Sequence, residues 1–276
     1  MNKENKDDEL KRLEVLLARN MTQITAKILV LSNKGGVGKS SVAVNLAVAL
    51  SKRGAKVGLL DADMHGPSVA KMLGFEGKRL QGGQNGISPY PVNPNLVAIS
   101  MASFLENVDT PVVWRGPLKM GALRQFLAEV DWGKLDYLVI DSPPGTGDEP
   151  LSVCQLIRDL TGAIIVTTPQ DIALLDSRKC VSFLRQLSTP IFGILENMSG
   201  LICPHCGKNI DLFKSGGGEK AAKELNIPFL GRIPFEPRIV ESTDNGKSFI
   251  EVYPGSEATK VLEKICSSID EKIRKL

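Results

Sequence analysis

The stretch Ser32-Asn33-Lys34-Gly35-Gly36-Val37-Gly38-Lys39-Ser40-Ser41 constrains this chain more than any other. It follows a short apolar run, Ile28-Leu29-Val30-Leu31, and precedes a helical pattern from Ser41 to Leu50. A buried strand feeding a Gly-rich turn that opens a helix is a phosphate-binding arrangement. Glycines let backbone N–H groups converge on an anion, because no Cβ blocks the approach. The helix behind the loop adds roughly half a positive charge at its N-terminus. Lys39 can then reach the β- and γ-phosphates of a nucleotide, and the Ser40 hydroxyl can ligate Mg²⁺. The pattern G-x-x-x-x-G-K-[ST] is met except at its first position, where Asn33 replaces Gly, and a second lysine, Lys34, follows at once.

Alternation along the rest of the chain fixes the fold class. Strand-like runs recur at Lys56–Leu60, Leu96–Ser100, Tyr137–Ile140, Ala163–Thr167, Ile191–Leu195 and Phe229–Ile233. Helical patterns lie around Leu118–Val130, Leu151–Leu160, Ile172–Leu187 and Gly218–Leu225. Strands that are continuously apolar and separated by helices predict an α/β architecture, a mostly parallel central sheet flanked by helices in three layers. With 276 residues and 42% hydrophobic content, one domain over residues 25–276 accounts for the chain. A helical extension over residues 1–24 precedes it, with Leu10, Leu13 and Leu17 on one face, packing on that domain or on a partner. Residues 76–95, rich in Gly, Pro and Asn, read as a long excursion or hairpin. The tail from Ser256 reads as a helix with Leu262, Ile265, Ile269, Ile273 and Leu276 along one side, facing the core.

A net charge of +3 gives no case for a nucleic-acid surface. No apolar run reaches the ~18 residues of a membrane span. The charged start MNKENKDDEL lacks a signal-peptide core, so a cytoplasmic setting without nucleic-acid or membrane partners is expected. Five cysteines, Cys154, Cys180, Cys203, Cys206 and Cys266, do not make a disulfide framework.

Three acids stand at strand ends. Asp141 closes Asp136-Tyr137-Leu138-Val139-Ile140-Asp141, where a carboxylate can hold a Mg²⁺-bound water. Asp61 and Asp63 close the second strand; Asp63 is expected to orient the attacking water and Asp61 to stand behind it. Ser142-Pro143-Pro144-Gly145-Thr146-Gly147-Asp148 follows Asp141, and Gly145 and Gly147 permit backbone approach to a γ-phosphate, as in nucleotide switches. Cys203-Pro204-His205-Cys206-Gly207 places two thiols at i and i+3 on a turn. Two sulfurs are half of a tetrahedral set, and Cys154, Cys180 and Cys266 read as buried small hydrophobes. A second copy of the chain would complete the set across a two-fold axis. A redox dithiol and a zinc shared between subunits fit the spacing equally well.

Taken together, these motifs resemble those of the Mrp/NBP35 (ApbC-like) iron–sulfur cluster carrier ATPases, in the MinD/ParA branch of P-loop NTPases. The resemblance covers residues 25 to 255. It rests on the deviant loop Lys34–Ser40, Asp61-Ala62-Asp63-Met64-His65-Gly66-Pro67-Ser68, the segment Asp141–Asp148, and Glu196-Asn197-Met198-Ser199 leading to Cys203 and Cys206. It implies ATP bound by Lys34, Gly35, Gly36, Val37, Gly38, Lys39, Ser40, Ser41, Asp63, Asp141, Pro143 and Gly145, with hydrolysis that is slow and Mg²⁺-dependent. Lys34 would reach across a homodimer to the other subunit's phosphates. Asn197 would lie near the adenine and Pro234 in the loop covering it. Cys203 and Cys206 would bridge a labile [4Fe–4S] cluster between protomers for transfer to apo iron–sulfur proteins. Asn33 departs from the family's glycine and is expected to be tolerated through a positive φ. The competing readings are a MinD/ParA-like positioning switch and a dimer with structural zinc at the CxxC pairs, zinc being a ready substitute for a cluster in aerobic preparations.

Overall fold

The phosphate loop sits at the centre of an eight-stranded sheet. The computed structural model describes residues 3–275 apart from 65, 79, 84–85, 105–115, 171, 204, 211 and 213. His65 and Pro204, members of two of the motifs, therefore lie outside the described residues.

The strands are β1 (Ile24–Leu31), β2 (Val57–Asp61), β3 (Tyr90–Asn93), β4 (Leu96–Ser100), β5 (Leu135–Asp141), β6 (Gly162–Thr167), β7 (Ile191–Glu196) and β8 (Phe229–Arg232). They lie side by side in the order β8-β7-β6-β1-β5-β2-β4-β3, and every pair is parallel except β3 with β4. All of β2 and β6 is buried, as is β1 apart from Thr25, because helices cover both faces. This is the α/β sheet that the continuous apolar runs predict.

One layer is formed by α2 (Lys39–Lys52) and the C-terminal α7 (Glu257–Ile273), whose Leu262, Ile265, Cys266 and Ile269 pack with Val42 and Leu46. The other contains α1 (Lys3–Thr22), α3 (Gly116–Glu129), α4 (Asp148–Leu156), α5 (Ala173–Gln186) and α6 (Gly217–Leu225). Within it, α1 buries Leu17 and Met21 against α3, and the Asn20 amide donates to the Ala128 and Val130 carbonyls, capping that helix. Leu10, placed on the packing face by periodicity, is instead exposed. In the C-terminal layer, Tyr137 donates its hydroxyl proton to Asp270 of α7, tying that helix to β5.

The excursion over residues 76–95 holds more order than its composition suggests. Gln81–Gly83 pairs with Gly86–Ser88 as a short antiparallel ribbon, and Tyr90–Asn93 then becomes the sheet's outer strand, β3. Pro91 is tolerated there because an edge strand has no neighbour on one side. Among the described residues no helix is long and apolar enough to cross a membrane.

Candidate functional site

Neighbouring strands bring the acids together. Asp141 of β5 lies in register with Val30 of β1 on one side and with Asp61 of β2 on the other. All three stand at the carboxyl edge of the sheet, where the loop after β1 emerges. That loop turns through Gly36 (φ 77°) and Gly38 (φ 82°), left-handed conformations cheap only for glycine. A Cβ at Gly35 or Gly36 would meet nothing within 4 Å, so this part of the loop is open.

Asn33 is not among the residues with positive φ, which overturns the expectation that its conformational tolerance explains its presence. Its side-chain amide instead donates to Asp176 of α5 at 2.7 Å. The same carboxylate holds the Lys34 ammonium at 2.9 Å, with the lysine side chain 45% exposed. Asn33 and Lys34 are thus both gathered by one acid.

Lys39 opens α2, is buried, and places Nζ 2.5 Å from Asp141 Oδ1 and 3.4 Å from Ser40 Oγ. Asp141 is fully buried and its Oδ2 has no hydrogen-bond partner. Burial raises the Asp141 pKa against the pull of the Lys39 ammonium. Asp61 is buried as well and accepts hydrogen bonds from the Ser100 hydroxyl (2.9 Å) and from the Val69 and Asp63 amides (3.2 and 3.1 Å). Burial, and then the Asp141 charge, push Asp61 up to about 7. One ammonium faces two carboxylates in this low-dielectric site, so the charge on each disfavours ionisation of the other. Asp63 stands two residues beyond, almost buried, and accepts from the Gly66 amide at 3.1 Å. The bond from its amide to Asp61 Oδ1 sets the two acids side by side at the end of β2. Pro143 is buried after β5, and the Gly145 amide donates to the Ser32 carbonyl at 2.8 Å, tying the turn after Asp141 to the start of the phosphate loop.

Asn197 follows β7. Its amide nitrogen donates to the Val37 carbonyl at 2.9 Å, and a Cβ on Gly38 would meet that nitrogen at 2.2 Å. Asn197 is therefore seated on the phosphate loop itself. Pro234 lines, with Leu201, Phe235, Glu236 and Arg238, a cavity of about 550 Å³.

The segment after Asn197 carries the CxxC pair. Leu201–Ile202 pairs antiparallel with Asn209–Ile210, and the tip is closed by Cys203 N–H to Lys208 O and Gly207 N–H to Cys203 O, both 2.9 Å. The His205 amide, and then the Cys206 amide and thiol, donate toward the Cys203 sulfur, lowering its pKa. Cys206 is exposed. The other three cysteines are buried, with thiols pushed up to about 12 for Cys154 and Cys180 and about 11 for Cys266. A thiolate is the metal-binding form, so the chemistry of sulfur is confined to the hairpin. Among the described residues no group of three or more His, Cys, Asp or Glu is placed to hold a metal within one chain.

Comparison with known proteins joins the two halves of this surface. Residues 23–270 match the family model described as ParA, NUBPL iron-transfer P-loop NTPase. The chain belongs to that family. The chain is 49% identical over 264 residues to an iron-sulfur cluster carrier protein of Methanocaldococcus jannaschii, covering 96% of this chain and 90% of the relative. It is 43% identical to the protein of that name from Saccharolobus solfataricus, over 95% and 89% of the two chains. A solved nucleotide-binding protein from Archaeoglobus fulgidus, in complex with ADP and with cobalt found in it, superposes with a TM-score of 0.76 at 35% identity, over 89% of this chain and 98% of that one. The cell division ATPase MinD of Pyrococcus furiosus shares the fold at 23% identity, with a TM-score of 0.62, over 90% and 99% of the chains.

Two contributors in this NTPase were not singled out from sequence. Asp176 reaches Asn33 from 143 positions away, a distance no local pattern spans. Glu196 was visible only as a letter in a motif. The run Gly216-Gly217-Gly218 at the start of α6 was the available signal that something packs closely there.

Proposed function

We propose that two copies of this chain form an ATP-hydrolysing carrier that holds a labile [4Fe–4S] cluster between them and passes it to apo iron–sulfur proteins. The observation that carries the reading is the Cys203–Cys206 turn, which presents two sulfurs, one primed as a thiolate by backbone amides, in an iron-transfer NTPase. A cluster of this type takes four sulfur ligands, and the same turn of a second copy across a two-fold axis supplies the other two. The names of the archaeal relatives support the same cargo.

The nucleotide chemistry follows from the loop. Backbone amides from Gly35 to Ser41 receive the phosphates, and Lys39 moves from Asp141 to their oxygens. Ser40, with Asp141 through a water, would hold Mg²⁺; the unpartnered, buried Oδ2 of Asp141 beside Ser40 suits that role. The ion, when bound, neutralises charge on the β- and γ-phosphates. Asp63 orients the attacking water, and Pro143 and Gly145 shape the turn that senses the γ-phosphate. Lys34 leaves Asp176 for the phosphates of the other copy, while Asn197 and Pro234 flank the base. Residues 25–276 act as one domain, with residues 1–24 as a helical extension.

Anaerobic reconstitution with iron and sulfide, followed by metal analysis with and without ATP, tests the reading. About four irons and four sulfides per two chains are expected. Cys203→Ala and Cys206→Ala should each remove them and leave ATP binding intact. Zinc alone in the anaerobic protein, or an undiminished cluster absorption band in either variant, defeats the assignment.

A further inference from the structure

Between the phosphate loop and the cysteine hairpin lie two consecutive side chains with opposite allegiances. Asn197 is bonded to Val37 of the phosphate loop at 2.9 Å. Glu196, the last residue of β7, is completely buried and turns the other way. Its Oε1 accepts from the Ser199 hydroxyl at 2.5 Å and from the Gly216 amide at 3.0 Å. Its Oε2 accepts from the Gly218 amide at 2.6 Å, and the Arg232 guanidinium stands 3.5 Å from Oε1. Ser199 is where the cysteine-bearing excursion leaves the sheet, and Gly216–Gly218 is where it returns. One carboxylate therefore grips both ends of the segment carrying Cys203 and Cys206.

The surrounding backbone is built for this grip. Met198, between Asn197 and Ser199, takes a left-handed φ of 57°, a conformation that costs a side-chain-bearing residue about 1–2 kcal/mol. That turn brings Ser199 back onto Glu196. On the returning side Gly216 has φ 89°, a Cβ on Gly217 would lie 2.4 Å from the Pro169 carbonyl, and one on Gly218 would lie 2.9 Å from Glu196 Cβ. Three successive glycines let the chain descend onto the carboxylate, where the N-terminus of α6 adds its own favourable field.

We infer that Glu196 is a positioning residue that transmits the state of the nucleotide site to the cysteine pair. A shift of the phosphate loop moves Asn197 through its bond to Val37. Glu196, on the adjoining Cα, moves with it and carries both feet of the hairpin. The inference rests on the carrier reading, since only a bound metal centre makes the hairpin's geometry matter.

The test uses the full-length chain under anaerobic conditions with cobalt(II) as the probe, read by its thiolate-to-cobalt charge-transfer absorption. In the wild type a non-hydrolysable ATP analogue with Mg²⁺ is expected to change cobalt affinity by about fivefold or more, the lower range of ordinary site-to-site coupling. In Glu196→Gln, which keeps the shape but turns one acceptor into a donor facing N–H or O–H groups, that change should fall below about twofold. Affinity for the analogue should stay within about twofold of wild type, a combination that general loosening of the fold would not produce. Should Glu196→Gln not fold, Ser199→Ala removes the hydroxyl limb alone and should reduce the nucleotide effect by at least about twofold. An undiminished effect in the folded variant overturns the inference and leaves the carrier reading standing. So does a wild type that binds cobalt through the cysteines without regard to nucleotide. A wild type whose cobalt spectrum is unchanged by Cys203→Ala overturns both.

Discussion

Asp176 and Lys34 form an ion pair at 2.9 Å within a single chain, and the same carboxylate takes the Asn33 amide at 2.7 Å. The lysine assigned to the neighbouring copy's nucleotide is thus held at home when no second copy is present. A pair with a half-exposed lysine is worth roughly 0.2–1 kcal/mol. One such pair is lost from each chain of a dimer, so Asp176→Ala should strengthen ATP-dependent self-association by about 2- to 30-fold, as read by sedimentation velocity across an ATP titration. Weaker association would assign Asp176 to the dimer rather than to the isolated chain.

The phosphate loop contains two glycines of different kinds. A methyl group at Gly38 would sit 2.2 Å from Asn197 Nδ2 on a backbone with φ 82°, whereas at Gly35 it would meet nothing within 4 Å. Gly38→Ala should lower the stability of the nucleotide-free protein by about 2 kcal/mol or more, from left-handed strain and a displaced Asn197. Gly35→Ala should leave that stability within about 0.5 kcal/mol and show its effect only on nucleotide affinity. Urea unfolding and nucleotide titration of the two variants separate these effects; equal destabilisation would contradict the geometry.

Thiol labelling should follow a fixed order. Backbone amides lower the Cys203 pKa, while burial pushes Cys154 and Cys180 up to about 12 and Cys266 up to about 11. Metal-free protein treated briefly with iodoacetamide at pH 7 should carry label in the hairpin, with Cys203 ahead of the three buried residues by about tenfold or more. Peptide mass spectrometry reads the sites. Early labelling of Cys180 would mean that α5 opens readily.

The anchor of the C-terminal helix gives a pH dependence. Burial acts to raise the Asp270 pKa, but the Arg274 guanidinium and the Tyr137 hydroxyl outweigh it and hold the carboxyl below its ordinary 3.8. A folded value below the unfolded one means stabilisation that is complete above about pH 5 and is lost as pH falls through the lowered value. Asp270→Asn should cost about 1–2 kcal/mol at pH 7, and the difference from wild type should shrink toward pH 3. Urea midpoints at the two pH values measure it. A constant difference would show that shape, not charge, anchors the helix.

What could be read from the sequence was what is encoded locally. The run into Lys39 states strand, glycine turn and helix in consecutive residues, so the phosphate loop was legible, and the apolar strands gave the parallel sheet. Asp141 and Asp61 were legible as strand ends, but their adjacency depends on β5 lying between β1 and β2, an order that no single segment records. β3 escaped because a four-residue edge strand containing Pro and Asn looks like a loop. Asn33 was visible as an anomaly, yet its explanation lay on α5. Glu196 was hidden for the same reason, since its Gly218 partner arrives 22 positions later, after the hairpin, and Arg232 later still.

The meeting of Ser199, Gly216 and Gly218 on one carboxylate has an evolutionary consequence. A segment whose two ends are fastened at one point leaves and rejoins the sheet at the same place. The hairpin can therefore be lengthened, shortened or given other ligands without altering strand register. An ancestral nucleotide-binding sheet could have acquired the hairpin by insertion at this junction, and a designer could exchange it in the same place.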